Sequence, residues 1–146
     1  MSEPVLRLEA RDAVRANGSW RVRWRLTNIG SEHVRLVAVR APHSRFRSDP
    51  VDLNLVVVET VSVEQTLRVE AAPGEEIENA FVIFVVVKDH ETWRVLFRVR
   101  VHLGADGTPA PLVEAMSTHR VGFAEAYARA MALSAHDRNV LSRMKG

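Results

Sequence analysis

A chain of 146 residues has the length of one domain, and with 47% hydrophobic residues it can build a core that needs neither metal nor disulfide. The absence of cysteine excludes a disulfide framework, thiol catalysis, cysteine zinc sites and cysteine-ligated copper. A formal net charge of +2 is a weak electrostatic footprint for polyanion binding, although every basic residue except Lys88 and Lys145 is arginine.

The first ten residues, MSEPVLRLEA, carry Glu3, Arg7 and Glu9 where a secretory leader would need an apolar block. The longest apolar run, Ala80 to Val87, is too short to span a bilayer, so the expectation is a cytoplasmic protein without membrane contact. Residues 5–14 and 19–28 read as the first two strands. In the second, Trp20, Val22, Trp24 and Leu26 alternate with Arg21, Arg23, Arg25 and Thr27, and a period of two separates an apolar face from a basic one.

Asn17 and Gly18 mark the turn between these strands. A two-residue loop would oppose Trp20 to Arg15 and Trp24 to Arg11, whereas a three-residue loop of Ala16, Asn17 and Gly18 pairs Trp20 with Val14, Trp24 with Ala10 and Leu26 with Leu8. The longer loop is therefore expected, with a bulge or strand break at Asp12. Further strands are expected over 33–40, 51–59, 61–70, 80–88, 93–103 and, weakly, 112–116. Asn28 to Ser31, Pro42 to Pro50, Pro73 and Gly74, Asp89 to Thr92 and Gly104 to Pro111 provide the turns.

Seven or eight antiparallel strands at this spacing predict an all-β, immunoglobulin-like sandwich over residues 1–121. From 122 to 146 the pattern changes to a helical appendage, with Phe123, Tyr127, Ala130 and Met131 at helical spacing. Ser134 and Asp137 are candidate caps for a second short helix that carries Val140, Leu141 and Met144.

Residues 26 to 36, LTNIGSEHVRL, resemble the strand, Asn-x-Gly turn and strand of bacterial immunoglobulin-like accessory domains of the CARDB and fibronectin-III-like kind. That resemblance implies a noncatalytic adapter or spacer, of a kind often found outside the cytoplasm. The charged amino-terminal residues and the helical carboxy-terminal pattern depart from it.

On the sheet that would hold 33–40, 80–88 and 93–103, one face is core, with Ala80, Val82, Phe84 and Val86 expected opposite Val101, Val99, Phe97 and Val95. The other face is apolar as well: Val37, Val39, Phe81, Ile83, Val85, Val87 and Leu96 fall on it. A strand apolar on both sides must be covered on both. At ~25 cal/mol per Å2, covering several hundred Å2 contributes on the order of 10 kcal/mol before ordering costs. Either the helical appendage lies across this face in cis, or a second subunit or a protein partner docks there.

Signals for chemistry are sparse. His33, His43, His90, His102, His119 and His136 lack metal-ligand spacing, and no glycine loop for phosphate is present. Ser44 beside His43 with Asp49 nearby has the residue types of a nucleophilic site but no glycine-flanked elbow. Glu75 and Glu76 follow a Pro-Gly turn in which solvated acids are ordinary. In the loop of residues 41–50, His43, Arg45 and Arg47 flank Phe46, which suits either an end plug for the core or a base-stacking contact. The sequence therefore predicts a noncatalytic interaction protein, without cofactor or metal, that associates with itself or a protein partner through the apolar outer face. The alternative is an anion or single-stranded nucleic-acid binder using Arg21, Arg23, Arg25, Arg45 and Arg47; an enzyme is the third reading.

Overall fold

The computed structural model describes residues 3–48 and 51–121. The expected helical appendage over 122–146 and Asp49 lie outside them. Nine strands follow in order: β1 (Leu6–Ala16), β2 (Ser19–Asn28), β3 (Val34–Arg40), β4 (Phe46–Arg47), β5 (Val51–Val57), β6 (Thr60–Val69), β7 (Glu76–Lys88), β8 (Glu91–Leu103) and β9 (Pro109–Arg120). They form two antiparallel sheets, ordered β1-β2-β6-β4 and β5-β3-β7-β8-β9. The all-β sandwich read from the alternation is the fold. The two-residue β4 lies inside the expected 41–50 loop and raises the strand count to nine.

The core fills the space between the sheets because each strand sends alternate side chains inward. Trp24, Phe84 and Phe97 are buried there, and the two phenylalanine rings meet edge to face with centroids 5.7 Å apart. Trp20, on the apolar face of β2, and Trp93 are only partly buried and pack against the margin of the core. Phe46 is 7% exposed and belongs to the core cluster, with the His43 ring 5.1 Å away. The aromatic of the 41–50 loop is thus a plug at the end of the sandwich.

Both long hairpins turn more tightly than expected. Between β1 and β2 the loop is two residues, Asn17 and Gly18, with φ of 48° and 80°. That positive-φ turn matches the twist of its flanking strands, which a three-residue loop here would not improve. It sets Arg15 opposite Trp20, the pairing that ruled out this loop on sequence grounds. Instead of entering the core, the Arg15 guanidinium lies 4.6 Å over the indole and donates to the Asp106 carbonyl at 2.9 Å. A bulge between Ala10 and Asp12 then inserts Arg11 and restores the expected partners, Ala10 with Trp24, Glu9 with Arg25 and Leu8 with Leu26.

Between β7 and β8 the turn is Asp89 and His90, with φ of 50° and 64°. Ala80 therefore pairs with Val99 and Val82 with Phe97, each one pair away from the expected register. Because the slip is two residues, every side chain keeps its face.

Candidate interaction surface on the outer face of the five-stranded sheet

The strands β3, β7 and β8 lie side by side as the sequence implied, and the face turned away from the core carries its own apolar cluster. Val37, Ala38 and Val85 form it, with Val87 packed against them. Val85 and Ala38 have no exposed surface. Phe81, Ile83, Val87 and Leu96 are half-buried around them.

One residue assigned to this face belongs elsewhere. A bulge in β3 pairs Leu36 with Val86 and Ala38 with Val85, leaving Val37 as the extra residue. Val37 and Ala38 then share the outer cluster, and Val39, opposite Phe84, turns into the main core with no exposure. Strict alternation from Val37 to Val39 fails because the bulge adds one residue to the count.

Toward β9 the face continues into a groove of about 220 Å3 lined by Phe81, Leu96, Arg98, Ala115, Met116 and Ser117. Met116 is 41% exposed. Beyond it the surface becomes ionic, since Arg100 reaches Glu114 at 3.0 Å, Glu76 at 3.8 Å and Glu78 at 3.9 Å, while Arg98 stands 3.9 Å from Glu114. An apolar centre with a polar, ion-paired margin is the usual anatomy of a protein contact surface.

No family model, curated protein or solved structure matches this chain. What the surface can do rests on its own geometry.

The arginines of the alternative reading divide between the outer face of the four-stranded sheet and the β4 loop, and each stands beside a carboxylate. Arg21 is 3.9 Å from Glu64, Arg23 is 3.7 Å from Asp12 and Arg25 is 3.9 Å from Glu9. Arg45 reaches Glu75 at 3.0 Å and Arg47 reaches Glu70 at 3.1 Å. Exposed pairs of this kind contribute about 0 to 1 kcal/mol each, so their main effect is to neutralise the ladder locally.

In the loop before β4, His43 accepts the Arg45 backbone N–H on Nδ1 at 3.0 Å, which commits that nitrogen to the turn. Glu75 is likewise committed. Its Oε1 accepts the Ala72 backbone N–H at 2.7 Å and its Oε2 accepts from Arg45, and these donors, Ala72 foremost, hold its carboxyl below the ordinary glutamate value. Among the described residues, no group of three or more His, Asp or Glu could hold a metal ion, and no helix is long and apolar enough to cross a membrane.

Sequence reading missed Ala38 and took Asn28 only as part of a turn. Ala38 joins the outer surface only through the bulge in β3, which alternation does not register, and in β9 Ala115 and Ser117, the partners of Arg98 and Leu96, face the same way. Asn28 had a signal, the Asn-x-Gly spacing. Its Oδ1 accepts the Gly30 N–H at 3.0 Å, and its Nδ2 donates to the carbonyls of Glu32 at 2.9 Å and Val57 at 3.0 Å. The asparagine thus shapes its own turn and ties the end of β2 to the end of β5.

Proposed function

We propose that this chain is a cytoplasmic, noncatalytic interaction module that uses the outer face of its five-stranded sheet to associate with a second copy or to dock a protein partner. One observation carries the reading: around a second apolar cluster on the side of the sheet opposite the main core, Phe81, Ile83, Val87 and Leu96 remain partly exposed as one apolar surface. Ordinary antiparallel sheets keep that side polar. The anion-binding alternative through Arg21, Arg23, Arg25, Arg45 and Arg47 has less support, because each of these arginines stands within 4.0 Å of a carboxylate.

Light scattering on the intact chain tests the proposal. Ile83→Asp and Leu96→Asp place a charge on half-buried positions of the patch, whereas a charge at fully buried Val85 would perturb folding itself. Self-association predicts a two-chain mass that falls to one chain in either variant with the circular dichroism unchanged. If the intact chain is monomeric, a partner is captured by the parent and lost by both variants. A monomer whose binding and solubility neither substitution alters overturns the reading.

A further inference from the structure

A corner of the other sheet breaks the pattern of paired charges. Along the outer face of β1, β2 and β6, Arg23 stands beside Asp12, Arg25 beside Glu9 and Arg21 beside Glu64. Where β6 meets β4, however, Arg47 lies directly opposite Arg68 on the neighbouring strand. Two like charges in direct cross-strand register are destabilising unless something of opposite sign lies between or above them. Glu70 accepts from Arg47 at 3.1 Å. Among the described residues Arg68 has no hydrogen-bond or ion-pair partner, and neither do the hydroxyls of Ser19, Ser48 and Thr66. These four unengaged donor groups line one cleft of about 710 Å3 together with Arg47, Glu64, Glu70 and Val51. Arg21 adjoins it, since Thr66 is its cross-strand partner.

We infer that this cleft binds a small phosphate-bearing molecule. The cleft is open to solvent, with Arg47, Thr66 and Arg68 exposed along it. Two guanidinium forks on neighbouring strands present paired N–H donors of the geometry that phosphate oxygens accept, and the three hydroxyls supply donors for the remaining oxygens. A phosphate group gives Arg68 a counter-ion and competes with Glu70 for Arg47. Glu64 and Glu70 shape the response: Glu70 holds Arg47 when the cleft is empty, and a ligand must take that arginine over. The inference is independent of the interaction surface, which lies on the other sheet.

Calorimetric and NMR titration of the full-length chain with tripolyphosphate at low ionic strength tests it, with ATP and a short single-stranded RNA as parallel probes. Saturable tripolyphosphate binding is expected, weakened about tenfold by Arg68→Ser, the order of one charge-assisted hydrogen bond. Arg68→Lys, which keeps the charge and removes the fork, is expected to weaken it too, and Glu70→Gln to tighten it by freeing Arg47. Arg25→Ser, on the same sheet but outside the cleft, leaves it unchanged. Equal binding of ATP and tripolyphosphate assigns recognition to the phosphates, and tighter ATP binding makes a nucleotide the source. No saturation at low salt overturns the inference. So does binding that Arg25→Ser and Arg68→Ser weaken alike, which is diffuse surface charge, or binding of RNA alone.

Discussion

Burial alone does not say what a side chain contributes, and Gln65 is the clearest case. It sits 1% exposed within the sandwich, where its Oε1 accepts the Trp24 indole N–H at 3.3 Å and its Nε2 has no partner. The indole can only donate, so it fixes which end of the amide faces it. Replacing Gln65 with methionine, a side chain of similar shape, removes one orphan donor and creates another at the indole. Gln65→Met is therefore expected to change the unfolding free energy in urea by less than about 1 kcal/mol, although an orphaned buried donor by itself costs ~1 to 3 kcal/mol. Trp24→Ala at the neighbouring position removes a buried aromatic and costs ~3 to 5 kcal/mol. A loss for Gln65→Met as large as that would mean that Nε2 is satisfied in solution.

Among elements, the two-residue β4 shows how little backbone is needed when side chains support it. Phe46 anchors it in the core; Arg45 donates to the Glu70 carbonyl at 2.9 Å and reaches Glu75, and Arg47 reaches Glu70. Glu75 has its carboxyl pKa depressed by the Ala72 N–H and then by Arg45. A depressed folded value means stabilisation that is present above the ordinary value and lost as pH falls through the lowered one. The melting temperature of Glu75→Gln should therefore lie furthest below that of the parent near neutral pH. The gap should narrow as pH drops below about 4.5; a gap that widens on acidification would contradict the assignment.

The eight longer strands, the faces of β7 and β8 and the adjacency of β3, β7 and β8 were legible from period-two alternation. Turn lengths and the β3 bulge were not, whereas the break expected at Asp12 falls one residue away, at Arg11. Asn17-Gly18 carries the two-residue turn signal, which the pairing of Trp20 with Arg15 overrode, whereas Asp89-His90 needs positive φ at two residues other than glycine, and nothing in the alternation marks the bulge at Val37. Hence Val39 was placed on the wrong side, while the two-residue slip between β7 and β8 misplaced partners but no faces.

For the whole molecule, the two layers divide the work. The four-stranded sheet turns a charged, mostly self-neutralised surface to solvent, broken at the Arg47 and Arg68 corner, and the five-stranded sheet turns out an apolar one. Two of the four edge strands carry features that oppose unintended pairing, Pro109 and Pro111 in β9 and the Arg11 bulge in β1. The pairing of β2 with β6, described above as sheet order, also sets a clock. Trp24 and Gln65 meet across 41 positions of chain, so the central strands of the sandwich can join only after a long loop has closed. The tight hairpins β1-β2 and β7-β8 can form in microseconds, but they gain the core only when these distant partners arrive. Refolding from urea is accordingly expected on the millisecond-to-second scale of β-sandwiches, and a stopped-flow trace completed within the dead time would show that assembly does not wait for that closure. During this interval the apolar strand β7 has neither sheet face covered, so crowding in that window, more than the strength of the finished core, will limit the yield of native protein at high concentration.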